Sequence, residues 1–159
     1  MIYCDAHVHI QVSFNMDRFF LAALANFAGQ KETTAPQSPG TYYLLLTEAK
    51  EQDFFSVIKQ QALHQVGPLP GSWRLQATAE QESVLLSHPS APADRLFVIA
   101  GRQLVTRERL EVLALACPAR IDDGATLAAT VATVRKAGGL AVLPWGVGKK
   151  MRKRGAILA

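Results

Sequence analysis

The residues best able to do chemistry stand together near the start of the chain, in Asp5-Ala6-His7-Val8-His9. Their apolar neighbours make residues 2–10 read as a β-strand. Side chains on a strand alternate between its faces. Asp5, His7 and His9 are therefore expected on one face, and Cys4, Ala6, Val8 and Ile10 on the other, packed under helices. Two imidazoles two positions apart on a stiff element can reach one divalent cation, and neutral ring nitrogen suits zinc, iron or manganese. Asp5 can ligate as well, or orient a histidine from behind it. The plainer alternative is a set of polar residues facing solvent near a strand end.

Other candidates stand where apolar runs end. Glu48 follows the run 42–46 and Thr47, where it can serve a metal or sit in the first turn of a helix and be stabilised by the helix dipole. Glu111 opens the apolar run 111–116. These two carboxylates are the ones expected to complete a metal's shell or act as base. Glu80 and Glu82 are equally well explained by a solvated turn. His88 is a loop histidine, and His64 falls at the end of a helix. Near the other end, Trp145-Gly146-Val147-Gly148-Lys149-Lys150 leads into a basic cluster that runs to Arg154. A helix beginning near Lys149 would offer its N–H groups and the lysines to a phosphate. The alternative is a solvated cationic tail. Trp145 can stack on a substrate ring or cover the core. The segment is not a Walker A loop, because Lys150 stands where Ser or Thr is needed. No G-x-S-x-G elbow occurs, which sets aside a serine hydrolase.

These side chains must be positioned by the elements around them. Residues 16–28 read as a helix with Asn15 as N-cap and Gly29 as stop, and 31–40 as a loop. The continuous apolar run 42–46 suits a strand covered on both faces, and 47–63 a helix capped by Thr47. Residues 73–79, 83–87, 96–105 and 111–116 read as strands, 124–137 as a helix and 140–143 as a last strand. Helices between the early strands favour right-handed crossovers and a mainly parallel sheet, with the central strands inserted as hairpins.

With 159 residues, 49% of them hydrophobic and 19% charged, the chain suits one domain spanning 1–159 and is neither disordered nor fibrous. No apolar run approaches the roughly 18–20 residues of a membrane span. The start of the chain has no signal-peptide pattern, and the two cysteines, Cys4 and Cys117, are far apart; a reduced, cytoplasmic setting is expected. The net charge of +4 is local: removing Lys149, Lys150, Arg152, Lys153 and Arg154 from the 17 basic residues leaves 12 against 13 acidic ones. That distribution speaks against a nucleic-acid partner.

The motif Asp5-x-His7-x-His9 resembles the first strand of the PHP (polymerase and histidinol phosphatase) superfamily, which carries D-x-H-x-H. Residues 97–103 are similar to that family's strand ending in Gly-x-Glu, 110–115 to its next strand, and 121–144 to the helix and strand leading to its late His-Pro. Residues 11–95 match only in element order. The resemblance implies an α/β fold, here an incomplete or distorted PHP-like (β/α) barrel with mainly parallel strands and an inserted set of hairpin strands. It also implies a site of two or three metals and hydrolysis of phosphate esters. Gln103 stands where a bridging Glu is expected, Glu111 where a His ligand is, and Pro144-Trp145 where the His-Pro is. At 159 residues against the roughly 200 of a complete barrel, the chain is expected to lack the closing elements of such a fold, and a homo-oligomer covering an exposed edge is a further expectation.

The functional expectation is a metal-dependent hydrolase of the PHP type acting on a small phosphorylated substrate. Asp5, His7 and His9 are its metal ligands, Glu48 and Glu111 its catalytic carboxylates, and Trp145, Lys149 and Lys150 its substrate-binding residues. The alternative is a non-catalytic PHP-like domain that binds an anionic ligand or partner through the basic segment 146–154.

Overall fold

The structure is a computed structural model and describes residues 2–34, 39–65 and 71–144, without the side chains of 32–34. In chain order its elements are β1 (Ile2–Val8), α1 (Met16–Thr34), β2 (Thr41–Leu46), α2 (Phe54–His64), β3 (Arg74–Ala77), β4 (Ser83–Ser87), β5 (Arg95–Ile99), β6 (Gly101–Val105), β7 (Glu111–Leu115), α3 (Leu127–Lys136) and β8 (Leu140–Val142).

The strands form two sheets, β1-β2-β5-β4-β3 and β6-β7-β8. Among the described strands, β1–β2 and β2–β5 pair in parallel, while β4–β5, β3–β4, β6–β7 and β7–β8 are antiparallel. This overturns the expected barrel of mainly parallel strands. The described fold is α+β, with three helices beside a mixed and an antiparallel sheet. For β3–β4 and β6–β7 the reason is connection length, because a parallel return needs a crossover of a dozen or more residues and their turns are too short for one; β7 and β8 are antiparallel even though α3 lies between them. Among the described residues no helix is long and apolar enough to cross a membrane.

The larger core lies on one face of the first sheet. Phe20 and Leu24 of α1 and Phe55, Ile58 and Ala62 of α2 pack against Tyr42, Leu44 and Leu46 of β2 and Leu96 and Val98 of β5. The other face is only half-buried, with Tyr43 and Phe97 stacked at a centroid distance of 5.1 Å, so β2 is not covered on both faces as its composition suggests. A smaller core holds α3 on the second sheet through Leu104, Val112, Ala114 and Val134.

Helix ends follow local capping. Asn15 caps α1 as expected, its Oδ1 accepting from Arg18 N at 3.0 Å, but α1 runs through Gly29 to Thr34. Thr126 caps α3 by accepting from Ala129 N. Just before β5, Asp94 gathers Gly40 N (2.7 Å), Lys31 Nζ (3.4 Å) and Tyr42 Oη (3.3 Å). Burial, the Asp94 charge and the hydrogen bond to it push the Tyr42 hydroxyl from 10.0 up to about 12. The unfolded chain thus releases this proton first as pH rises. Stability is expected to be intact below about pH 10 and to fall toward about pH 12, and Tyr42→Phe should flatten urea midpoints across that window.

Candidate metal centre

The first strand departs from regular alternation where its chemistry begins. Asp5 pairs with Leu44 but Val8 pairs with Leu46, so one extra residue is inserted into β1 between them. Such a bulge re-aims side chains and is often found beside active sites. Asp5 lies in the same row as Leu44, and Val8 takes that row two rungs later. The strict grouping of Asp5, His7 and His9 on one face is therefore corrected. So is the packing of the opposite set: Cys4 and Ala6 are exposed, while Val8 and Ile10 enter the core.

At and just beyond the irregularity the two imidazoles meet. His7 Nε2 and His9 Nε2 are 3.0 Å apart, and the ring centroids are 4.9 Å apart at 53°. Two nitrogens each roughly 2.0–2.1 Å from one cation lie about 3.3 Å apart at a tetrahedral angle and about 2.9 Å apart at a right angle. The pair is thus already spaced for shared coordination. Thr47, buried at the end of β2, stands behind it: its hydroxyl donates to Val8 O at 3.2 Å and lies 3.4 Å from His9 Nε2. The Thr47 N–H also donates to Val8 O, at 2.8 Å, and ties the two strand ends together. Asp5 does not reach the ring nitrogens but accepts from His7 N at 3.2 Å, which steadies the bulge. Among the described residues, no third His, Cys, Asp or Glu joins the pair in a group able to hold a metal ion.

Glu48 is occupied elsewhere. It is 2% exposed, and its Oε1 accepts from Phe54 N at 2.5 Å and Phe55 N at 3.3 Å, so it satisfies the start of α2. Burial pushes its carboxyl up, opposed by those two N–H groups and by Arg102. Its backbone joins the two sheets: Glu48 N donates to Gly101 O at 3.1 Å and Gln103 N donates to Glu48 O at 3.0 Å. A residue committed to this bridge cannot be helical, which is why α2 starts at Phe54 and not after Thr47. Glu111 is exposed at the start of β7, paired with Val105 in the second sheet. The structure therefore brings His7 and His9 together but not Asp5, Glu48 or Glu111 with them. Trp145, Lys149, Lys150 and the segment 146–154 lie outside the described residues.

Of the remaining sequence candidates, His88 Nδ1 meets Ser90 Oγ at 2.7 Å while its ring packs on Trp73, and His64 Nε2 meets Gln60 Oε1. The Cys4 thiol is pushed up by desolvation and by the Asp5 carboxylate, which disfavours a nucleophilic role.

Sequence reasoning missed an ion-pair cluster. Asp53, just before α2, pairs with Arg102 at 3.3 Å and with Arg120, and accepts from Ser56 Oγ at 2.7 Å. Arg102, 6% exposed, also donates to Gln52 O at 3.2 Å. The cluster borders a cleft of about 160 Å³ that also includes Glu48 and Gln103. An Asp before Phe54-Phe55 was the available N-cap signal. Burial works against the Asp53 charge, but Ser56, Arg120 and Arg102 outweigh it and hold its carboxyl below the usual range. That stabilisation is present above the ordinary carboxylate range and is lost as pH falls through the lowered value. Asp53 is one-third exposed, so Asp53→Ala is expected to cost about 1–2 kcal/mol at neutral pH in urea unfolding, mostly by stranding Arg102.

Comparison with protein-family models, with curated proteins and with solved structures returned no match.

Proposed function

We propose that this chain is a metal-dependent hydrolase of a phosphate ester, with one divalent cation held between His7 and His9. The observation that carries the reading is the 3.0 Å approach of the two Nε2 atoms on a bulged strand end. The resemblance of Asp5-x-His7-x-His9 to the PHP superfamily supports the reaction class. It does not extend to a cluster of two or three metals. Gln103 is neutral where a bridging carboxylate is expected, and Glu48 is turned into the start of α2. A single zinc, manganese or iron is the cation that the residues fit.

A divalent cation held by His7 and His9 would make water acidic enough to act as a nucleophile near neutral pH. The protein's part is to hold both imidazoles neutral at Nε2, with their protons on Nδ1. The two Nε2 atoms face each other across 3.0 Å, and a cation between them would take the lone pair of each and leave each ring's proton on Nδ1, a change of tautomer with no net proton lost. Thr47 limits how far His9 can swing, and the Asp5 contact fixes the backbone of His7. In the net reaction the oxygen of water bonds to phosphorus, the ester P–O bond breaks, and the alcohol leaves with a proton. Neither Glu48 nor Glu111 is placed to take part.

The second reading is a non-catalytic domain that binds an anionic ligand through 146–154. The observation favouring it is that both expected catalytic carboxylates are engaged or distant. Purified without chelator, the protein is expected to hydrolyse p-nitrophenyl phosphate in the presence of zinc or manganese, with activity lost on adding EDTA and in His7→Ala. No turnover with any of zinc, manganese or iron would favour the second reading.

A further inference from the structure

Directly after His9 the chain lines a second cleft, of about 380 Å³, between the loop following β1 and the start of α2. Its walls are Ile10, Val12, Phe14, Met16, Phe54 and Val57. Three of these rank among the large hydrophobic side chains that the described surface leaves exposed: Val12 at 101%, Phe14 at 40% and Val57 at 54%. Exposed apolar groups scattered singly need no explanation, but their convergence on one concavity does. The two aromatic rings are braced from behind. Phe14 stacks on Phe19, and Phe54 packs on Phe20, itself fully buried.

The cleft and the imidazole pair share one support. Ile10 both follows His9 and lines the cleft, and Thr47, in contact with His9, precedes Glu48, whose carboxylate holds the N–H of the cleft residue Phe54. We infer that this cleft binds the uncharged aromatic or small apolar alcohol portion of the phosphate ester, with the phosphate directed toward His7 and His9. The inference rests on the proposed function and narrows its substrate. Volume and charge choose the occupant. The cleft falls in the range of small-molecule sites, roughly 300–1,000 Å³. A folded partner would need a surface on the order of 800 Å². Glu51 and Asp53 also line the cleft, and since the Asp53 charge is met by Arg102 and Arg120, it is Glu51 that disfavours an anion inside while leaving a neutral ring unopposed. Phe14 and Phe54 give such a ring faces or edges to pack on.

The test is amide NMR on the full chain, with 1-naphthyl phosphate and inorganic phosphate as probes, each without metal and with zinc. The expected result is that the naphthyl ester, and not inorganic phosphate, shifts Val12, Phe14, Met16, Phe54 and Val57, with or without zinc. Val57→Asp, an exposed position, should weaken that binding at least about tenfold while the spectrum stays folded, and Phe14→Ala should weaken it independently. Equal effects of the two probes on these amides, or unchanged binding in both variants, would overturn the inference. Cleft binding without hydrolysis in any divalent cation would leave the inference standing and count against the proposed reaction instead.

Discussion

Gly101→Ala is expected to destabilise the protein by roughly 3 kcal/mol or more, or to prevent folding altogether. A Cβ built at Gly101 would come within 2.1 Å of Leu46 O and 3.0 Å of Ala114 O. Both are backbone atoms in paired strands, so neither can swing aside as a flexible side chain would. At this point β5 passes into β6 and leaves the first sheet for the second, and Gly101 O accepts from Glu48 N. The substitution therefore strains the junction that also holds Thr47 and Glu48 in place behind His9. Gly29→Ala is the control. It lies inside α1 with nothing within 4 Å of the added carbon, and should stabilise by about 0.5–1 kcal/mol. Urea midpoints of the two variants should move in opposite directions.

The second large effect is on metal binding. His9→Ala is expected to weaken zinc binding at least about 100-fold, because one imidazole alone is not a chelate. His7→Ala should lose as much. The double variant should lose little more than either single one, since each alone already breaks the shared site. Both side chains are exposed, so urea stability should change by no more than about 0.5 kcal/mol. Isothermal titration with zinc checks the affinities. Losses that simply add between the two positions would mean two separate weak sites.

The elements that carry strong local signals were readable. The run at β2, the Asn15 cap, the hairpin strands β3 and β4, and α3 with its apolar Leu127 and Val134 all appear in the structure close to where the pattern puts them. What failed depended on long-range pairing. A period of two placed Asp5, His7 and His9 on one face, but the inserted residue in β1 is defined only by its register against β2, which no single strand's pattern reveals. Residues 96–105 read as one strand because apolar content continues across Ala100. Gly101 divides them between two sheets because it allows the close approach to Leu46. The mainly parallel sheet followed from the early β-α-β-α order and the barrel from the PHP resemblance, and the short turns joining β3 to β4 and β6 to β7, with the antiparallel return of β8, decided otherwise.

The candidate site was legible to the same depth. His7 and His9 stood out by type and spacing, and their rings meet. Glu48 stood out as well, but its carboxylate answers two orphaned N–H groups of α2, a need set by where that helix begins. Asp53 and Arg102 are 49 residues apart and become partners only through the contact between the sheets.

The central claim is that His7 and His9 share one cation, and imidazole ¹⁵N NMR during a zinc titration tests it most directly. Nε2 of both residues is predicted to shift together and to stop at one equivalent of zinc, while the rings of His64 and His88 stay unchanged. Zinc that shifts only one of the two rings, or neither, would contradict the account.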